Sequence, residues 1–286
     1  MKSNRRNCDL SFSNLCSWRF LYDTQFAVVD NFLVFKFWAG DQLAYMMPVG
    51  TGDLKAILRE LIEDARKENH HFCMLGVCSN MRTELETILP EQFTFTEDRD
   101  YADYIYLRSD LSTLKGKKFQ AKRNHINRFR NTYPDYEYTP ITPDRIQECL
   151  DLEAEWCKVN NCDQQEGTGN ERRALIYALH NFEALGLTGG ILHVNGKIVA
   201  FTFGMPINHE TFGVHVEKAD TSIEGAYAMI NYEFANRIPE QYIYINREED
   251  LGIEGLRKAK LSYQPVTILE KYMACLKEHP MNMVKW

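Results

Sequence analysis

The spacing of apolar residues divides the chain into two halves of similar element order. In the first, residues 12–22 read as a helical or irregular segment, and short runs rich in Val and Phe predict strands at 26–29, 31–38 and 42–48, with Asp30-Asn31 as a turn. Between 54 and 69 the period lengthens, and Leu54, Ile57, Leu58, Leu61, Ile62 and Ala65 form one helical face behind an Asp53 N-cap. A buried strand at 72–77, a helix at 80–89 stopped by Pro90, and strands at 93–96 and 101–107 complete a β-β-β-α-β-α-β-β half. One compact α/β layer fits that order.

Residues 114–131 come next, with Phe119, Ile126 and Phe129 at helical spacing and seven Lys or Arg but no acidic residue. This pattern predicts a helix with an apolar rib and a basic outer flank, in which Lys118, Lys122, Arg123 and Arg128 are candidate contacts for a polyanion such as RNA or an anionic lipid surface. After a strand framed by Pro134 and Pro140, helices are expected to about 159 and over 171–185, with Gly186 as C-cap and a glycine-bearing loop at 160–170 between them as a candidate lid. A hairpin about Asn195-Gly196, a strand at 210–217, a helix at 225–238, a strand at 241–245 and a last strand at 266–272 finish the chain. The expected organisation is a first domain over 1–113, a connecting basic helix over 114–133 and a second domain over 134–286.

Composition narrows the function classes. The 286 residues are 44% hydrophobic with a net charge of −7, so a polyanion would have to be met by a local patch against the overall field. Eight scattered cysteines without a CxxC pair and without a secretory leader predict reduced thiols and a cytoplasmic protein. No apolar run reaches the length of a membrane span. The histidines lack HExxH spacing, so no metal is expected, and there is no G-x-S-x-G elbow.

The densest chemistry lies at 246–265, where Glu248, Glu249, Asp250, two glycines, Arg257, Lys258 and Lys260 stand between two strands. On a short helix over 254–261, Arg257 and Lys260 at i and i+3 could meet a phosphate or developing oxyanion together. Glu248, Glu249, Asp250 or Glu217 could accept the nucleophile's proton, and the residues leave that choice open. Asn246, Arg247 and Lys258 are candidate substrate-binding positions.

The segments DYIYLRSDL (103–111), KKFQAKRNHINRF (117–129) and INREEDLGIEGLRKAKLSYQP (245–265) resemble the family named for the C-terminal domain of phosphatidylglycerol lysyltransferase, related to the Fem aminoacyltransferases. The resemblance covers nearly the whole chain and implies an α/β fold of two tandem GNAT-like domains, with mixed, mostly antiparallel sheets flanked by helices. It further implies an acyltransferase that takes an aminoacyl group from aminoacyl-tRNA to an amine or hydroxyl, with a lipid such as phosphatidylglycerol or a peptide as acceptor and peripheral contact with anionic membrane. Lys260 and Arg257 match positions implicated in phosphate binding or transition-state stabilisation. An acyl-CoA-dependent member of the same fold and a non-catalytic RNA- or lipid-binding one are the alternatives. The first would need a pyrophosphate loop where the chain reads DTSIEGAYA, which keeps only Gly225 and Ala226 of the usual pattern. A large membrane domain that accompanies the full lysyltransferases is absent from these 286 residues, which places the lipid acceptor in question.

Overall fold

The computed structural model describes residues 5–160 and 166–277. Two short helices come first, α1 (Phe12–Ser17), capped by the Ser11 hydroxyl accepting from the Asn14 amide, and α2 (Arg19–Tyr22). Strands β1 (Gln25–Val29), β2 (Phe32–Ala39) and β3 (Gln42–Met46) form an antiparallel meander, with β4 (Val49–Gly50) folded back on β2. Asp30 and Asn31 take φ values of 45° and 65°, the left-handed pair whose twist suits a two-residue hairpin. Helix α3 (Leu54–Lys67) buries the predicted stripe, and the Asp53 carboxylate accepts from the Ala56 amide at its start. Then come β5 (Cys73–Cys78), parallel to β3, and α4 (Ser79–Ile88), β6 (Phe93–Glu97), β7 (Asp103–Leu107) and α5 (Arg108–Thr113).

The basic stretch is α6 (Gln120–Thr132), followed by β8 (Glu137–Pro140), α7 (Ile146–Asn160) and α8 (Glu166–His180). Residues 166–170, expected in the candidate lid, are the first turns of α8, and the other part of that loop, 161–165, lies outside the described residues. The chain ends through β9 (Thr188–Val194), β10 (Lys197–Pro206), β11 (Thr211–Ala219), α9 (Ala226–Ala235), β12 (Tyr244–Asn246), α10 (Glu254–Leu261), β13 (Thr267–Leu269) and β14 (Lys271–Leu276).

These strands form two seven-stranded sheets, ordered β1-β2-β3-β5-β14-β6 with β4 on β2, and β13-β7-β12-β11-β10-β9-β8. Both are mixed and mostly antiparallel, each with one parallel pair, β3/β5 and β11/β12, and helices cover their faces in a tandem GNAT-like arrangement. Sheet membership differs from the expected boundary at 113. Strand β7 belongs to the second sheet, and its anticipated place beside the first is taken by β14 from the far end of the chain. The single strand expected over 266–272 is therefore two, broken at Glu270, where the chain leaves one sheet for the other. A first apolar core lies under α3 and α4, a second between the second sheet and α5, α6 and α9, and a third under α7 and α8.

The cysteines also depart from expectation. Cys73 and Cys275 face each other in the β5/β14 register and are joined by a disulfide, while Cys8, Cys16, Cys78 and Cys149 are free thiols. No helix among the described residues is long and apolar enough to cross a membrane.

Candidate active site

The second sheet opens where its parallel pair parts. Strands β11 and β12 pair only over 211–213 and 244–246, after which β12 ends and β11 runs on to Ala219. A bulge on β11 sits beside the opening: Phe203 opposes Val216 and Gly204 opposes Val214, leaving His215 as the extra residue. The bulge shifts the side-chain alternation, so Val214 and Ala219 enter one core and Val216 meets the other. It also turns Glu217 toward α9.

Arg247, the first residue after β12, reaches across the gap. Its Nη2 donates to Glu217 Oε1 at 2.9 Å, and Asn231 Nδ2 on α9 donates to Glu217 Oε2 at 3.1 Å. Arg247 Nη1 and Asn231 Oδ1 are buried with no hydrogen-bond partner among the described residues. The guanidinium stands 4.8 Å from the Tyr263 ring centre and 5.7 Å from that of Tyr106. Burial works against the Arg247 charge, but Glu217 and the tyrosines hold its pKa above the usual value.

Lys122 on α6 completes the group, its ammonium 4.0 Å from the Tyr263 ring centre. Burial, and then the positive charge of Arg247, lower its pKa to about 8. The expectation that Lys122 belongs to an outward basic flank is thus corrected: it is half-buried, with its ammonium over the Tyr263 ring and beside the charges of Arg247 and Glu217. Its companions sit on the surface but are engaged. Lys118 pairs with Asp110 at 2.8 Å, Arg123 donates to the carbonyls of Leu114 and Gly116, and Arg128 pairs with Glu224.

The cations of α10 do not converge on an open site, contrary to the i, i+3 reading. Arg257 grips Asp250 through two bonds, Nε to Oδ2 at 2.8 Å and Nη2 to Oδ1 at 2.7 Å, and also meets Asp100 at 2.6 Å. Lys260 is buried and donates to the carbonyl of Arg247 at 2.6 Å and to that of Glu249. Burial, with Arg247 next, lowers its pKa. Both side chains therefore hold the 246–250 loop that presents Arg247. Lys258 points away and pairs with Glu254 on the surface.

The candidate bases fall out differently. Burial would raise the Asp250 pKa, but hydrogen bonds from Arg257 and Tyr104 outweigh it and take the carboxyl well below the usual range, which disqualifies it as a base at neutral pH. Glu249 lies in a largely buried cluster where Lys271 Nζ meets it at 2.6 Å, Asp103 at 2.8 Å and Asp9 at 2.8 Å. Burial and the neighbouring carboxylates, against the pull of Lys271, raise Glu249 to about 7. Glu248 binds His215 Nδ1 at 2.7 Å and Asn14 Nδ2 at 2.7 Å. Only Glu217, among the carboxylates named from sequence, adjoins the unpartnered atoms.

The other expected substrate contacts are structural. Asn246 is fully buried and donates to Asp103 at 2.8 Å and to the Arg6 carbonyl at 2.7 Å, tying β12 to β7 and the N-terminal segment. Gly225 has φ 87°, and a Cβ there would stand 3.0 Å from the His125 carbonyl oxygen. It lets α6 close over the start of α9, where Ala226 is buried as well. Among the described residues, two groups of potential metal ligands exist, Cys8/Asp103/Glu249 and His71/Cys73/Cys275. The ammonium of Lys271 already neutralises the first, and the disulfide occupies the thiols of the second.

Sequence reasoning missed Asn231, Tyr106 and Tyr263. Asn231 carried a signal, as a short amide within the apolar helix AYAMINYEFA that must find a buried partner. The tyrosines read as ordinary strand and helix-end residues.

Comparison with known proteins agrees with this fold. At 94% identity, covering 97% of this chain and 94% of the other, the chain is similar to a conserved protein of unknown function from Bacteroides thetaiotaomicron (TM-score 0.95). The C-terminal domain assigned to a lysylphosphatidylglycerol synthetase of Agrobacterium fabrum shares the fold at 13% identity (TM-score 0.71), covering 96% of this chain and 88% of that one. L-PGS from Bacillus licheniformis shares it at 17% identity (TM-score 0.66), with 98% and 90% covered. An uncharacterized protein of Mycoplasmoides gallisepticum is 25% identical over 177 residues, 60% of this chain and 55% of its own length, so the chain spans about half of that curated relative. The family described as phosphatidylglycerol lysyltransferase, C-terminal, matches residues 1–275, and the chain belongs to it.

Proposed function

We propose that the protein is an acyltransferase that moves an aminoacyl group from aminoacyl-tRNA to an amine or hydroxyl acceptor. The observation that carries this reading is the unpartnered Nη1 of Arg247, buried at the open end of β11 and β12 and held in place by Glu217. Attack on an aminoacyl ester turns a carbonyl oxygen into an oxyanion, and a fixed, dehydrated guanidinium N–H stabilises that oxyanion more than the carbonyl. The acceptor's N or O forms the new bond to the carbonyl carbon, and the ester C–O bond to the tRNA ribose breaks. Lys122, with a pKa of about 8, is tuned to take the acceptor's proton near neutral pH and to return it to the departing ribose oxygen, and Glu217 is the alternative. Exposed Lys115, Lys117, Lys118 and Arg128 would meet the tRNA backbone, and dependence on charged tRNA would make the protein cytoplasmic. A lipid acceptor such as phosphatidylglycerol is the choice the family name favours, reached by peripheral contact with anionic membrane. No separate cofactor is required by this scheme.

An acyl-CoA donor is the weaker reading, because α6 packs on the start of α9 where pyrophosphate would lie. The test is transfer from a pool of radiolabelled charged tRNAs to lipid, peptide and protein fractions. Transfer reduced by about a hundredfold or more in Arg247→Met, with tRNA binding kept, supports the proposal. Acetyl transfer from acetyl-CoA to a small amine, with no transfer from any charged tRNA, would replace it with the alternative.

A further inference from the structure

Glu217 holds two partners whose remaining polar atoms are both buried and both unused. A carboxylate accepts hydrogen bonds, so the contact at 3.1 Å fixes the Asn231 amide with its nitrogen toward Glu217 and its oxygen away. Oδ1 is therefore an acceptor without a donor, on a side chain only 4% exposed. Arg247 is the complement, with Nη2 spent on the other oxygen of the same carboxylate and Nη1 a donor without an acceptor. Leaving such atoms unpaired is costly, and their pairing by a ligand is the ordinary resolution at a binding site.

The two unpaired atoms sit on side chains bound to the two oxygens of one carboxylate and differ in kind, so a ligand that pairs both carries a donor and an acceptor in one small group. An α-aminoacyl group has that form: an ammonium with three N–H donors on the carbon that also bears the carbonyl. We infer that Asn231 Oδ1, with Glu217 beside it, receives the α-ammonium of the transferred aminoacyl group while Arg247 Nη1 meets its carbonyl oxygen. The site then reads the free α-amine, whatever the amino-acid side chain. An N-acylated aminoacyl ester has lost the cation and keeps a single N–H behind a bulky acyl group, and a simple acyl thioester offers the acceptor no donor at all. Asn231 would touch the substrate but not the reacting bond, as a specificity determinant that acts in binding.

This inference rests on the aminoacyl-transfer reading, and the experiment separates the two. Wild-type protein and Asn231→Leu are assayed with charged tRNA and with the same tRNA N-acetylated on its amino acid. Wild type should favour the free amine by about tenfold or more, the scale of one hydrogen bond to a charged group, with the difference in KM. In Asn231→Leu that preference should collapse toward unity. Equal use of both donors by wild type would overturn the inference and leave aminoacyl transfer standing. A preference that persists unchanged in Asn231→Leu would overturn it too.

Should no charged tRNA be used, the transfer reading fails, and calorimetric binding of L-amino-acid amides against their N-acetyl forms decides the inference alone. Tighter binding of the free amides, lost in Asn231→Leu, supports it. Equal or absent binding by the wild type at millimolar ligand overturns it. Should Asn231→Leu fail to fold, the wild-type preference within each free and N-acetylated pair is decisive: its presence supports the inference and its absence overturns it.

Discussion

Replacing Lys260 with Met separates a clamp from a catalyst. The ammonium is buried and donates to two loop carbonyls, those of Arg247 and Glu249. Hydrogen bonds from a charged donor are worth roughly 1.5–3 kcal/mol each, so the pair supplies about 3–6 kcal/mol. Methionine recovers part of this, since burying the ammonium is itself unfavourable, as its lowered pKa records. A net loss of about 2–4 kcal/mol remains, or a fall in Tm of roughly 3–7 °C for a chain of this size. Calorimetry on Lys260→Met and on Lys258→Met, a surface control paired only with Glu254, measures it. Transfer activity should fall along with stability in Lys260→Met, because the loosened carbonyl belongs to Arg247 and small displacements of a positioned group cost large factors in rate. A Tm within about 2 °C of wild type together with lost activity would refute the clamp and return Lys260 to the chemistry.

Glu249 titrates near 7 in the folded protein, above an ordinary glutamate, so between about pH 4.5 and 7 the native state keeps a proton the unfolded chain has released. Its contribution to stability is present below that window and fades as pH rises through it, and urea midpoints across pH 5–8 should show a shallower decline in Glu249→Gln. The Cys73–Cys275 bond spans 202 residues, and chain-entropy reasoning sets its contribution at up to about 5 kcal/mol. Alkylation with and without reductant should reveal two protected thiols at these positions, with a lower Tm in dithiothreitol. For Lys122, rate against pH should rise through about 8 in wild type and lose that rise in Lys122→Met. A retained inflection would assign the proton transfer to another group.

Local structure was well encoded, because periodicity and turn chemistry are local signals. The α3 stripe, the Asp53 cap and the hairpins at Asp30-Asn31 and Asn195-Gly196 lie where the residues put them. The sheet exchange was not readable, since the 266–272 run is uniformly strand-like and nothing in its side chains says that Leu269 and Lys271 pair with different sheets. The stretch at 246–265 contains the Arg247 of the proposed site, which the sequence offered only as one substrate-binding position among several. Charge density marked Arg257 and Lys260, yet their partners Asp250, Asp100 and two carbonyls come from the fold, and only the fold shows Arg247 with a donor to spare. Glu217 could be named from its strand, whereas Asn231 needed α9 laid against β11.

The placement of β14 between β5 and β6 bears on how the molecule comes into being. Residues 73–97 emerge from the ribosome long before 271–276, so the earlier sheet stays open at its middle until β14 has been made. The two lobes cannot mature one after the other. Cutting the chain anywhere between 113 and 134 should give two fragments that are each insoluble alone and recover structure only when mixed.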